Sequence, residues 1–128
     1  MKKTYQGSCQ CGTVRFEADL DLAQGTFKCN CSICLKTRAW LAGGAAGELR
    51  LLAGESALGD YQFSRKVLHH RFCRNCGVQV YAHGKDGFAV RVTCLDDVDP
   101  QELIDAPVRY FDGRHDDFKT PPAETRHL

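Results

Sequence analysis

Seven of the eight cysteines fall in three tight clusters: Cys9-Gln10-Cys11, Cys29-Asn30-Cys31-Ser32-Ile33-Cys34 and Cys73-Arg74-Asn75-Cys76. A C-x-C or C-x-x-C turn brings two thiolates close enough to share one tetrahedral Zn²⁺, with Zn–S distances of about 2.3 Å. Gly12 and Gly77 follow the first and last clusters, where glycine lets the backbone turn tightly past a metal because it adopts positive φ without steric cost. Two pairs make one closed four-thiolate site and leave a trio with only three ligands. A closed site is structural, whereas a three-ligand site keeps a position open for water or substrate. At such an opening zinc acidifies a bound thiol or polarises a carbonyl.

Topology favours pairing the outer clusters. Cys9 and Cys11 lie in the turn before one strand pattern, and Cys73 and Cys76 lie between two others. Two such knuckles can face each other and staple the first part of the chain to the third, so that metal binding contributes directly to folding. Combining Cys29 and Cys31 with an outer pair instead would leave one cluster unemployed. The trio Cys29, Cys31 and Cys34 has alternatives of its own. A histidine such as His69, His70 or His83 could close it, or it could be labile, empty or oxidised to a disulfide. Cys94 follows an apolar strand face and reads as a core thiol. His70 shares an apolar side with Leu68 and Phe72 and reads as a core histidine. Trp40 reads as packed against a sheet, with the option of lining a pocket mouth.

The elements that must hold these clusters are mostly strands. In Thr13–Ala18, Val14, Phe16 and Ala18 share one face and Thr13, Arg15 and Glu17 the other, the period-two pattern of a half-buried strand. The same alternation runs through Phe88–Cys94. Shorter strands are expected at Glu48–Leu52, Tyr61–Ser64, Val67–Phe72 and Val78–His83. Breaks are expected at Gly43-Gly44, Gly54, Gly59 and Gly84 to Gly87. Helix is scarce: one turn over Ser32–Lys36 and another over Pro100–Ile104, with Pro at an early position. The tail from Thr120 to Leu128, with Pro121-Pro122, reads as an extended surface segment.

The 128 residues are expected to form a single domain, residues 1–128, large enough to bury a core. Apolar runs are short and broken by charge, which argues against a membrane span. Met1–Gly7 has two lysines and no apolar stretch behind them, so no secretory signal is expected and a cytoplasmic location is. C-x-C and C-x-x-C turns in that setting suit metal better than four disulfides. The formal charge is +1, and two Zn²⁺ ions on seven thiolates would leave the loaded protein slightly acidic. Nucleic-acid binding needs a basic face, so the knuckles are not read as nucleic-acid ligands. No nucleophile elbow, phosphate loop or dinucleotide fingerprint is present.

The order Gly7-Ser8-Cys9-Gln10-Cys11-Gly12, Cys29-Asn30-Cys31-Ser32-Ile33-Cys34 with Lys36 beyond, and Phe72-Cys73-Arg74-Asn75-Cys76-Gly77 resembles the glutathione-dependent formaldehyde-activating (GFA) family, which includes the centromere protein V type. Leu95-Asp96-Asp97 and Asp112-Gly113-Arg114-His115-Asp116-Asp117 look like further pieces of it. The resemblance implies a mainly β, β-tent fold of antiparallel sheets, shared with methionine-R-sulfoxide reductases and stapled by a four-cysteine zinc site. It implies a structural zinc on Cys9, Cys11, Cys73 and Cys76 and a catalytic zinc on Cys29, Cys31 and Cys34. The implied activity is a zinc-dependent carbon–sulfur lyase that adds a small, glutathione-like thiol to an aldehyde such as formaldehyde, or the reverse. Its partners are then a small-molecule thiol and aldehyde. Cys94 departs from the family pattern, which often has a small residue there. Two other functions are compatible with the clusters: a non-catalytic zinc-binding interaction module, and a thiol reductase working through the trio and Cys94, which needs an exposed low-pKa thiolate.

Overall fold

A computed structural model describes residues 1–128. Strands β1 (Lys3–Ser8) and β2 (Arg15–Leu20) form an antiparallel hairpin, and β2 pairs onward with β5 (Leu49–Ala53) in a three-stranded sheet. Alternation decides its faces. Phe16, Ala18 and Leu20 are buried, while Glu17 and Asp19 point outward and are bridged by Arg50 of β5 at 2.6 and 2.8 Å. That surface network fixes register more than it stabilises, since exposed pairs contribute about 1 kcal/mol or less.

The second sheet contains β3 (Thr26–Cys29), β4 (Leu41–Ala45), β6 (Leu58–Tyr61), β7 (His69–Cys73), β8 (Gln79–His83), β9 (Gly87–Arg91) and β10 (Val108–Phe111). Its order is β10-β3-β4-β9-β8-β7-β6. All pairs are antiparallel except β10–β3, which is parallel. The mainly β class expected from the sequence holds, with this one mixed pair as a correction to wholly antiparallel sheets. A parallel pair needs a long crossover, and here nearly the whole second sheet lies between its two strands. Helices are short: α1 (Ser32–Thr37) and α2 (Pro100–Asp105). The latter starts on a capping box in which Asp99 accepts from Gln101 N at 2.9 Å and Asp99 N donates to Glu102.

Several glycines expected to break strands lie inside them. Gly43 and Gly44 belong to β4 because the neighbouring strand comes too close for any side chain. A Cβ on Gly43 would sit 2.7 Å from the Phe88 carbonyl oxygen, and one on Gly44 would meet the Phe88 ring. Gly59 belongs to β6 and is covered by the Phe72 ring. The strand expected over Tyr61–Ser64 therefore lies earlier, and the one expected to continue to Cys94 stops at Arg91, giving way to a 3-10 turn over Val92–Cys94.

One hydrophobic cluster joins the two sheets. Phe16 of β2 meets Tyr81 of β8 edge-on with ring centroids 5.4 Å apart, and Val14, Val80, Val90 and Val92 are fully buried around them. Cys9 and Cys73 belong to the same cluster, so the first cysteine site is an extension of the core. Leu95-Asp96-Asp97 also has a positioning role. Asp96 accepts from Ser8 Oγ at 2.7 Å and Asp97 from Gln6 N at 2.9 Å, which locks β1 and the first knuckle in place. Trp40 donates to Thr26 Oγ1 at 2.8 Å and packs against the core.

Candidate metal centres and the groove beside them

The turn between β1 and β2 carries Cys9 and Cys11, and the turn between β7 and β8 carries Cys76 directly after Cys73 ends its strand. The four sulfurs lie within 4.8 Å of one another. Sγ of Cys9 and Cys11 are 3.6 Å apart and Sγ of Cys11 and Cys73 are 3.8 Å apart. A tetrahedral thiolate site with Zn–S of about 2.3 Å has sulfur–sulfur edges of about 3.8 Å, so the donor set and its spacing suit such an ion. Donors from the knuckles face the sulfurs: Val14 N to Cys9 Sγ at 3.3 Å and Asn75 Nδ2 to Cys11 Sγ at 3.4 Å. Thr13 Oγ1 lies 3.1 Å from Cys11 Sγ. Hydrogen bonding from Thr13 and then Asn75 lowers the Cys11 thiol to about 5, so it is ready to ligate as thiolate. Gly12 and Gly77 have φ of +81°, the positive value that the tight turns require. The pairing that topology favoured is the one the fold assembles.

The trio is built locally. Cys29 ends β3, Cys31 caps α1 with extended backbone, and Cys34 lies one turn into the helix. Cys31 N donates to Cys29 Sγ at 3.4 Å. The three sulfurs fall within 4.8 Å of one another, and no histidine nitrogen or carboxylate oxygen joins them. The fourth-histidine alternative therefore has no support in the geometry. Without a metal the three thiols compete for one negative charge. Hydrogen bonds from Cys29 and Cys34 hold Cys31 far below the ordinary thiol value, while the same pairing and burial push Cys34 far up. A dication bound by all three as thiolates relieves that competition by expelling protons.

Gly113 presses on the trio, a contact no spacing rule could reveal. A Cβ there would lie 2.5 Å from Cys29 Sγ and 2.9 Å from Cys31 Cβ. Asn30 holds this loop down: its Nδ2 donates to Asp112 Oδ1 and its Oδ1 accepts from Arg114 N, both at 2.9 Å. The Asp112-Gly113-Arg114 stretch is thus a clamp over the knuckle. On the far flank His127 and Leu128 fold back beside Cys29 and Cys34, where the sequence led us to expect only an extended surface segment.

The trio opens onto a solvent-accessible groove of about 750 Å³. His70 lines this groove and is half-buried, stacked on Phe63 with centroids 5.4 Å apart, so it is not the core histidine its strand pattern implied. Burial and then Arg91 keep it below the ordinary imidazole value, hence neutral at pH 7. Arg91 lies beside α1 at the trio end of the groove. It donates to Thr37 Oγ1 at 2.9 Å, to Thr37 O at 3.3 Å and to Gln79 Oε1, and pairs with no carboxylate. Cys94 is partly buried in its turn, donates to Gln79 O at 3.5 Å, and is pushed up to about 11 by burial.

The chain is similar to known proteins in sequence and in fold. The family model described as glutathione-dependent formaldehyde-activating enzyme matches residues 4–111, and the chain belongs to that family. The crystal structure of a Rhodobacter sphaeroides protein is similar at 30% sequence identity with a TM-score of 0.72, covering 81% of this chain and 99% of that one.

The two clusters differ in a measurable way. Protein prepared under reducing, zinc-replete conditions should carry close to two metal ions per chain, since both clusters offer a competent donor set. A mild chelator should remove the ion from the trio first, because three protein ligands leave a coordination position open to it whereas four thiolates close the other site. Metal analysis during chelator titration reads this directly. A single ion even at saturation would count against two working sites.

Proposed function

We propose that the chain is a zinc-dependent carbon–sulfur lyase of the GFA type, joining a small thiol to an aldehyde or running the reverse. One observation carries the reading: three sulfurs lie close enough to share one ion with no fourth protein ligand, and all three line a groove large enough for both reactants. Cys9, Cys11, Cys73 and Cys76 are assigned the structural zinc, and Cys29, Cys31 and Cys34 the catalytic one. Zinc held by three thiolates supplies acidification of a thiol and polarisation of a carbonyl at the same point.

The chain's own residues do the rest. Arg91, a half-buried cation with no carboxylate partner, is placed to hold an anionic group of the thiol. Neutral His70 can take the thiol proton at a ring nitrogen and return it to the new alkoxide oxygen, which becomes the hydroxyl. The balance is simple: the thiol sulfur bonds to the carbonyl carbon, the carbonyl π pair moves to oxygen, and the thiol proton ends on that oxygen. A reductase reading has little support, because a Cys94 thiol raised to about 11 is a poor thiolate at neutral pH. No helix of the chain is long and apolar enough to cross a membrane. Unpaired thiols throughout suit a reducing compartment such as the cytoplasm, and we read residues 1–128 as one domain.

The test is thiol binding. Glutathione added to the zinc-loaded protein should bind with proton release, and binding should strengthen as pH rises toward the free thiol's pKa. Calorimetry in two buffers of different ionisation enthalpy measures this, with Cys31→Ser as the negative control. Arg91→Met should weaken binding by about tenfold or more, the size of a lost charge-assisted hydrogen bond. If no thiol binds the loaded wild type, the lyase reading fails and a zinc-binding interaction module replaces it.

A further inference from the structure

Much of the groove is apolar, more than a small thiol and formaldehyde require. Its polar groups are segregated. Arg91 and Gln79 stand at the trio end beside Thr37, and His83, Lys85 and Asp86 stand at the opposite edge, while His70 is level with Ala82 between them. Strand β9 runs between these ends from Arg91 to Gly87, a length of about 13 Å at the rise of an extended chain. Between them the floor is shallow, because three neighbouring strands bring Gly43, Ala89 and Ala82 into one row there. The walls are aromatic and aliphatic. Phe27 and Phe111 stack edge-on at 5.5 Å on one side, with Phe118 beyond them at 5.9 Å from Phe111. Phe63 and Leu68 rise on the other side. Phe118 and Leu68 are 57% and 47% exposed. Such apolar exposure is unfavourable in water unless something covers it.

We propose that the middle of this groove is a subsite for the apolar body of the aldehyde, so that the preferred electrophile is an arylalkyl aldehyde and not formaldehyde. The proposal rests on the lyase reading above and names its substrate class. A planar body fits because the floor carries no side chain beyond Cβ while the walls are rings. Volumes of about 300–1,000 Å³ with mostly apolar lining and a few polar groups at one end are typical of sites that bury a molecule of this size. The reacting carbonyl then lies at the trio end, beside the thiol anchored on Arg91. The bond changes are unchanged: S–C forms, the π pair moves to oxygen, and the thiol proton follows it.

Exchange between aldehyde and hemithioacetal can be followed by NMR magnetisation transfer on the zinc-loaded full chain, with glutathione as thiol and formaldehyde, propanal and phenylacetaldehyde as partners. Phenylacetaldehyde should exceed formaldehyde in kcat/KM by about tenfold or more, the discrimination an apolar pocket supplies for a few carbons. Ala89→Leu, which fills the floor, and Phe118→Ser, which removes a wall, should each lower that ratio several-fold. An unreactive probe, 2-phenylethanol, should shift the amide resonances of Gly44, Ala82 and Ala89 with or without thiol present. Equal acceleration of all three aldehydes overturns the subsite while the lyase reading stands. Absence of the probe shifts, or their replacement by concentration-dependent self-association through the rim, overturns it as well. Acceleration of no aldehyde is a failure of the lyase reading itself, and the subsite's substrate falls with it.

Discussion

A Cys73→Ser variant should lose its cooperative fold near room temperature, whereas Cys34→Ser should remain folded and lose only the more labile metal. The two substitutions are chemically identical, so the difference comes from what each site connects. Cys11 and Cys73 are 62 residues apart, and a cross-link over that span removes about 4 kcal/mol of unfolded-chain entropy in the loop-closure model. The trio spans a six-residue stretch of chain, for which the same model gives about half as much. Packing adds to the asymmetry. Cys73 is completely buried within the cluster that joins the sheets, while Cys34 lies on a short helix with no buried residue. Metal binding in small zinc domains contributes on the order of 10 kcal/mol, comparable to the whole stability of a domain, about 5–15 kcal/mol. Urea unfolding followed by circular dichroism, with metal content measured on the same samples, separates the two. If Cys34→Ser melts as badly as Cys73→Ser, the division between a structural and a catalytic site is wrong.

How far the sequence carried depends on the range of each signal. The knuckles were legible because their chemistry is local: spacing alone brings two sulfurs together, and Gly12 and Gly77 mark the turns. The alternation of β2 was legible for the same reason, since Phe16 and Ala18 announce a buried face within one strand. Strands β3, β4 and β10 were not. Thr26–Cys29 and Val108–Phe111 are four residues each, too short for a period to show. Gly43-Gly44 reads as a turn until the close approach of Phe88 is known. His70 was misjudged because alternation identifies a face of the sheet but not whether that face is covered, and here it looks into an open groove. Asn30 was visible inside the second cluster, but its bonds to Asp112 and Arg114 span more than eighty residues. Nothing within its own neighbourhood signals them.

Those long-range contacts make Gly113 the most discriminating single position. Gly113→Ala should keep the fold and the Cys9/Cys11/Cys73/Cys76 metal, yet lose the trio's metal and its thiol binding. The added methyl would sit 2.5 Å from Cys29 Sγ and 2.9 Å from Cys31 Cβ, well inside any tolerable contact, so the sulfur or the loop must move by about 1 Å. The loop resists, because Asn30 holds Asp112 and Arg114 on either side of Gly113 and the preceding residues are paired with β3. The sulfur is then displaced, and metal sites tolerate ligand errors of only about 0.2 Å. Loss of supporting contacts around a metal commonly costs about 10–100-fold in affinity, and a direct clash should reach at least that. Gly47→Ala is the control. Gly47 has φ of +94° with nothing near its Cβ direction, so alanine there costs roughly 1 kcal/mol of backbone strain and should leave both metals in place. Metal content per chain and calorimetric titration with glutathione distinguish the pair. Should Gly113→Ala retain both ions and bind the thiol like wild type, the clamp yields freely and the trio's geometry is set by β3 and α1 alone.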